Sequence, residues 1–323
     1  MRSPLRYSYQ RLREGCDRIA RGLMRIGIRP REHVALWAGN WPEWVVLQPA
    51  LAKLNAVAVP LPVPLSPDSL ERLVRHADAR ALLLGNGAPV EKETGILKSL
   101  IPELEVCPLG QLHSERFPEL RSIINLAKSR HPGMHQFKGL TDLAELVPKE
   151  ELARVQEESS SEDPAAIFCD LQAPERSLGT TLTHRILVQK ARAVGRKLGA
   201  RVEDRVLLPH PLFDIHGMVC GSTLALVNGA TLLALVDWRS REVLRAAAEE
   251  RATIVVGTSS MFEHLLKEQR AKKLDLASLR AAIVVGPAPP ELIDDVKEEL
   301  GIPETTMDED GLLIMKDRKE SAD

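Results

Sequence analysis

The sequence predicts an α/β protein with mostly parallel sheets covered by helices, and three observations carry that expectation. Segments with apolar residues at helical spacing alternate with short β-rich runs from near the start to about residue 300. A charged stretch beginning at residue 149 interrupts the alternation, which then restarts. With 323 residues, 44% of them hydrophobic, the chain can fill the core of a large α/β domain or of two subdomains.

The elements follow in order. Residues 9–26 read as an amphipathic helix, because Leu12, Cys16, Ile19, Leu23 and Ile26 recur at helical spacing. A strand is expected at 33–37, a helix at 41–54, and a buried strand at 56–59 that stops at Pro60. Ser66 followed by Pro67 is an N-cap and first-turn pair, which starts a helix running to about residue 77, and the next strand is 79–84. The linker is placed at 151–163, with Ser159, Ser160 and Ser161, while 151–158 keep helical character. This divides the chain into a first α/β subdomain at 1–150, the linker, a second α/β subdomain at 164–303 and a charged tail at 304–323 that is expected to be loose. In the second subdomain, strands are expected at 165–169, 205–208, 231–236, 253–256 and 281–285. Helices are expected at 184–198, 217–226, 239–251, 259–267 and 290–300.

Composition removes several function classes. A net charge of -2 lacks the basic footprint of a nucleic-acid binder, and 3% aromatics leave few stacking platforms. No apolar run is long enough for a membrane span. Cys16, Cys107, Cys169 and Cys220 form no CxxC pair, which fits reduced thiols. The arginine-rich first 31 residues invite a transit-peptide reading, but Glu14 and Asp17 interrupt the charge. A cytoplasmic location is expected, with the mitochondrial matrix as the alternative.

The most informative segment is IFCDLQAPERSLGTTLTH at 167–184. It resembles, without gaps, the phosphate loop of the adenylate-forming superfamily, in particular the fatty acyl-CoA ligases, where the pattern is roughly ILYTSGTTGxPKGVxLTH. Ile167, Gly179, Leu182, Thr183 and His184 keep the anchors. Asp170, Leu171, Gln172, Ala173, Pro174 and Glu175 stand where the family has TSGTTG, and Leu178 replaces its lysine. Such loops work because glycines turn successive backbone amides inward as an anion nest, helped by hydroxyls and a lysine. Pro174 has no amide hydrogen to give. A carboxylate about 4 Å from a phosphate oxygen, at an effective dielectric of about 20, is repelled by about 4 kcal/mol. That equals about a thousandfold in affinity. A loop displaced so that Asp170 and Glu175 face water still lacks the donors.

Other segments extend the resemblance. YSYQRL, GIRPREHVALWAGNWPEWV and LNAVAVPLPVPLSPDSLERLVRHADARALLL are similar to the family's opening subdomain, and PELRSIINL with HPGM continues it. LLPHPLFDIHGMVCGSTLALVNGATLLAL resembles the family's LPLFHxxG segment, with Asp214 at the histidine position and His216 two residues later. The resemblance implies an acyl pocket lined by Phe213, Asp214, His216, Gly217 and Met218; the alternative is a loop whose polar residues cap a helix. IVVGTSSMFEHLL resembles the GTPTMF segment and adds Gly257 and Met261 to the substrate side. LRAAIVVGPAPPELI resembles GxPAPPELI, which implies an adenine edge at Gly286, Pro287, Ala288 and Pro289, with Gly179 and Thr181 on the phosphate side. A tight turn before a helix started by Pro290 accounts for the same prolines without a ligand.

The resemblance implies two stacked α/β subdomains, as in the large domain of acyl-CoA ligases. The cofactors it implies are ATP with magnesium and coenzyme A; the partners are a fatty acid or other acyl ligand, and a homodimer or an active ligase. Against it, GIPETTMDEDGLLIMKD stands where the family has YGxTE, Met307 to Glu309 being a faint echo, and the sequence stops before the positions of the ribose-binding aspartate and the small domain with the catalytic lysine. No catalytic residue is expected, and the expectation is a catalytically impaired, truncated ligase-like protein or a pseudoenzyme. His210, Asp214, His216 and Cys220 are legitimate metal ligands, but spacings of four, two and four form no paired motif, so no metal site is expected. GNGAP at 85–89 follows a strand but lacks the full GxGxxG pattern of a dinucleotide site.

Overall fold

The strands at 57–60 and 81–85 in the first unit are buried along their whole length, as their continuous apolar runs require. The computed structural model describes residues 6–85, 91–170, 178–236, 238–302, 304–307 and 313–316. The chain divides into two compact units, Met1–Ile186 and Leu187–Asp323.

In the first unit, α1 (Tyr9–Arg25) starts at Ser8, whose side chain accepts from the Arg11 amide, and buries Leu12, Cys16, Ile19 and Leu23. It approaches a later helix so closely that a Cβ on Gly22 would lie 2.2 Å from the Leu140 carbonyl oxygen. Next come β1 (His33–Ala38), α2 (Trp44–Leu54), β2 (Val57–Pro60), α3 (Pro67–His76), β3 (Ala81–Gly85) and α4 (Glu91–Leu100). Ser66 caps α3 by accepting from the Ser69 amide, as its sequence predicts. Then follow β4 (Ser122–Asn125), β5 (Met134–Gln136), α5 (Phe137–Leu143), α6 (Lys149–Glu158), β6 (Pro164–Cys169) and β7 (Leu178–Thr183). The sheet order is β5-β4-β3-β1-β2-β6-β7, parallel except for the antiparallel β6/β7 pair.

The division of the chain differs from the sequence expectation of a linker at 151–163 and a second subdomain from 164. Residues 149–158 form α6, which buries Leu152 and contacts α1 and α2. Strand β6 pairs with β2 through Ala58 and Ala166, so the first unit keeps both β6 and β7. Asp163 fastens this junction by accepting from Arg31 Nη2 (2.8 Å), Asn55 Nδ2 (2.8 Å) and the Ser160 amide (2.9 Å). A left-handed Asn55 (φ 56°) ends α2 and aims that amide.

Helix α7 (His184–Leu198) crosses the boundary between the units. The second unit continues with β8 (Arg205–Leu208), a wide π-type helical segment (Gly217–Thr223) running into α8 (Leu224–Asn228), β9 (Thr231–Ala234), α9 (Ser240–Glu249) and β10 (Ile254–Thr258). It closes with α10 (Ser259–Lys272), β11 (Ala281–Val285), α11 (Pro290–Leu300), β12 (Glu304–Met307) and β13 (Leu313–Lys316). The order is β12-β13-β11-β10-β8-β9, with β9, β8, β10 and β11 parallel. The tail at 304–323 is therefore not uniformly loose. Strand β13 runs antiparallel to β11; its Leu313, Ile314 and Met315 are buried, and Leu313 and Met315 complete a core that includes Phe262, Val284 and Val296.

Candidate functional site

Strand order in the second sheet marks the edge at which an open α/β sheet binds ligands. The chain leaves β8 for β9 on one side, then returns to place β10 and β11 on the other. Such a reversal opens a crevice at the carboxyl ends of the strands, where open α/β sheets bind ligands. The loops after β8, β10 and β11 leave from that edge, and they carry most of the residues singled out in the sequence.

After β10, Thr258 caps α10 by accepting from the Met261 amide at 3.2 Å. This turn lays Met261 back over the strand end, where its Cβ would be 3.3 Å from a Cβ built on Gly257. After β11, Gly286 takes a φ of 85°, a left-handed conformation that favours glycine, and Pro289 leads into α11. The Ser259 hydroxyl donates to the Pro287 carbonyl, which ties the two loops together. Gly286, Pro287 and Pro289 are exposed, and Ala288 and Met261 half-buried.

The loop after β8 is the most tightly built. The Asp214 amide donates to the Pro211 carbonyl at 3.2 Å, and the Met218 amide to the Asp214 carbonyl at 3.1 Å. The backbone folds back so closely that a Cβ on Gly217 would lie 1.9 Å from the Pro211 carbonyl oxygen. Phe213 is half-buried, whereas Gly217 and Met218 are buried. One carboxylate oxygen, Asp214 Oδ1, faces His210 Nε2 at 2.8 Å, His216 Nδ1 at 3.0 Å and the His216 amide at 2.8 Å. Burial pushes the Asp214 carboxyl up, but hydrogen bonds from His210 and His216 outweigh it and hold the group well below the usual carboxylate range. The potential ligand atoms of His210, Asp214 and His216 lie within 4.8 Å of one another, although no paired metal motif marks them in sequence. Cys220 is buried and outside this group.

Gly179 and Thr181 belong to the first unit, exposed on β7. A Cβ on Gly179 would meet the Phe168 carbonyl oxygen at 3.0 Å and the Asp170 nitrogen at 3.1 Å, so the β6/β7 pair itself favours glycine there. Asp170 is exposed. Residues 171–177, with Leu171, Gln172, Ala173, Pro174 and Glu175, lie outside the described residues, as do 86–89 of the GNGAP segment and 308–309 of the YGxTE echo.

Sequence reasoning missed the role of His184. Its Nε2 lies 3.2 Å from Asn55 Oδ1, in the network centred on Asp163, and burial holds its pKa below the ordinary histidine value. A surface cavity of ≈ 450 Å³ adjoins it, lined by Lys53, Gln156, Ser159, Ser160 and Ser161 among others. With the two partners 129 positions apart in sequence, no local spacing announces the pair.

The family described as AMP-binding enzyme matches residues 2–168 and 179–307. YngI of Bacillus subtilis (strain 168), which carries the name of an acyl-CoA synthetase, is 31% identical over 308 residues, covering 94% of this chain and 55% of its own length. The mitochondrial medium-chain acyl-CoA ligase ACSF2 of Mus musculus is 29% identical over 310 residues, covering 93% of this chain and 50% of its own. The chain thus spans about half the length of these curated relatives. Among solved structures, the anthranilate CoA ligase AuaEII in complex with anthranoyl-AMP aligns with a TM-score of 0.74 at 20% identity, over 90% of this chain and 52% of that one. The N-terminal domain of FACL13 from Mycobacterium tuberculosis aligns with a TM-score of 0.73 at 21% identity, over 91% and 67%. These structural likenesses establish the fold, α/β with mostly parallel sheets as in the large domain of acyl-CoA ligases. No helix among the described residues is long and apolar enough to cross a membrane.

Proposed function

Because this chain belongs to the AMP-binding enzyme family, we propose that it is an acyl-CoA ligase-like protein whose inherited reaction is impaired at the phosphate loop. That reaction would activate a fatty carboxylate with ATP to an acyl-adenylate, then pass the acyl group to coenzyme A. The observation that carries the reading is the gap in the family match at 169–178, where the ligases keep their phosphate cradle. The residues there do not fit a triphosphate. Asp170 presents an exposed carboxylate, Pro174 lacks an amide donor and Leu178 replaces the lysine. Adenylyl transfer depends chiefly on donors and charges positioned around the phosphates, and this segment supplies neither the lysine nor the glycine-rich amides for it.

A second reading is favoured by the carboxyl edge of the second sheet, where Gly257 and Met261 meet and Ser259 holds the 286–289 turn. On this reading the protein is a pseudoenzyme that binds an acyl ligand or regulates an active ligase. Exchange and calorimetry test the first reading, and thermal melting tests the second. Carboxylate-dependent exchange between ATP and pyrophosphate is expected to stay at background, and calorimetry is expected to show no ATP binding with or without magnesium. Clear exchange would overturn the impaired-ligase reading. A rise in melting temperature with a medium-chain fatty acid, but not with ATP, or capture of an intact ligase in a pull-down, is expected for the second reading, and the absence of both shift and capture would end it.

A further inference from the structure

We propose that His210, Asp214 and His216 form a binding site for one divalent transition-metal ion of the zinc class. The inference stands apart from the ligase reading and rests on the loop after β8. Two imidazole nitrogens and one carboxylate oxygen are a donor set suited to borderline divalent cations. Here their potential ligand atoms converge within 4.8 Å.

The geometry is specific in two respects. The two imidazole rings lie 6.5 Å apart with their planes at 75°, so they present edges to the shared oxygen rather than stacking. The frame holding them is stiff, since Gly217 packs against Pro211 too closely for any Cβ and the His216 amide also donates to Asp214 Oδ1. Ligand positions set by a stiff frame lose little freedom when an ion binds.

Distances decide how much must move. With bonds of about 2.0–2.1 Å, two ligand atoms of a tetrahedral zinc site stand about 3.3 Å apart. Asp214 Oδ1 is now 2.8 Å from His210 Nε2 and 3.0 Å from His216 Nδ1. Lengthening those two contacts by about 0.3–0.5 Å, and bringing the two imidazole nitrogens, which lie within 4.8 Å of each other, to the same spacing of about 3.3 Å, gives the tetrahedral arrangement. The His216 side chain, 31% exposed, can move by that much and gives the ion a route in, whereas His210 and Asp214 are fixed at 5% and 11%. On binding, each ring keeps its single proton on the nitrogen facing away from the ion, so that two neutral imidazoles and the carboxylate hold it, and only a ring that starts doubly protonated releases a proton to solvent. No oxidation or group transfer is involved. Open coordination positions are completed by water from the exposed His216 side.

The full-length, tag-free chain, stripped with chelator, is titrated with zinc by calorimetry and with cobalt(II) by visible absorption. The expected result is saturation at one ion per chain and ligand-field bands whose intensity indicates four- or five-coordinate cobalt. His216→Ala should weaken zinc binding by at least about tenfold, and Asp214→Asn likewise. Far-ultraviolet circular dichroism checks that each variant folds, and His216→Gln replaces His216→Ala if the latter does not. Failure of the wild type to saturate near one ion per chain would overturn the proposal. So would zinc binding that is unchanged in folded His216 and Asp214 variants, which would assign the ion to other surface groups.

Discussion

Replacing Arg280 with Met removes the cation that holds the base of the second sheet. Arg280 Nε donates to Asp204 Oδ1 at 2.9 Å and Nη2 to Oδ2, making a two-pronged pair. Nη1 and Nη2 also reach the Leu198 and Gly199 carbonyls, 3.0 and 3.1 Å away, which the end of α7 leaves without helical partners. The Asp204 side chain is only 4% exposed and that of Arg280 15%, so the discount applied to exposed ion pairs does not hold here. Met fills most of the space but offers no donor. Asp204 keeps the Thr253 hydroxyl (2.7 Å) and the Arg201 amide (2.7 Å) while its charge loses its counter-ion. Breaking a buried pair from one side costs about 3–5 kcal/mol, against about 0–1 kcal/mol for a surface pair. The assay is native-state hydrogen exchange at the amides of β10 and β11, together with urea unfolding. Protection should fall by about a hundredfold to several thousandfold, as each 1.4 kcal/mol is a factor of ten. A loss below about 1 kcal/mol would refute the reasoning, because it would mean the pair behaves as a solvated one.

The same pair sets a pH response. Burial raises the Asp204 pKa, but the hydrogen bonds from Arg280, Thr253 and Arg201 bring it below its ordinary value. Its stabilising contribution is therefore complete above the unfolded pKa of about 3.9 and is lost as pH falls through the lower folded value. Urea midpoints measured downward from pH 5 should fall more steeply for wild type than for Arg280→Met, and parallel curves would contradict this. Gly217→Ala places a methyl 1.9 Å from the Pro211 carbonyl oxygen, a backbone atom that cannot swing away. It should destabilise by about 3 kcal/mol, the upper end of overpacking costs, and unchanged urea unfolding would show that the loop opens without strain.

Where periodicity is strong, the sequence and the fold agree residue for residue. The helices at His184–Leu198 and Pro290–Leu300 and the strands at Arg205–Leu208 and Ala281–Val285 have the bounds read from sequence. Proline starts and continuous apolar runs are local signals, so they survive without tertiary information. Strand β7 was hidden because LGTTLT contains a glycine and three threonines and buries Leu182 toward the core while neighbouring positions face solvent. Helix α6 looked like a linker because Leu152 is its one buried side chain. In the site, the types and positions of His210, Asp214 and His216 were plain, but their convergence was not. It depends on the turn from Pro211 to Gly217 and the wide helical segment after it, neither of which has a residue-spacing rule.

The hairpin at the far side of the second sheet carries a practical consequence for anyone dissecting this chain. Composition alone would tempt an experimenter to trim everything past residue 303 as dispensable. Strand β13 occupies the hydrogen-bonding flank of β11 from Ala281 to Val284. Without it, that flank becomes an open template for adhesion between molecules, with a strip of sticky surface once roofed by Leu313 and Met315. A protein shortened at residue 303 would thus be prone to clumping for reasons unrelated to any ligand.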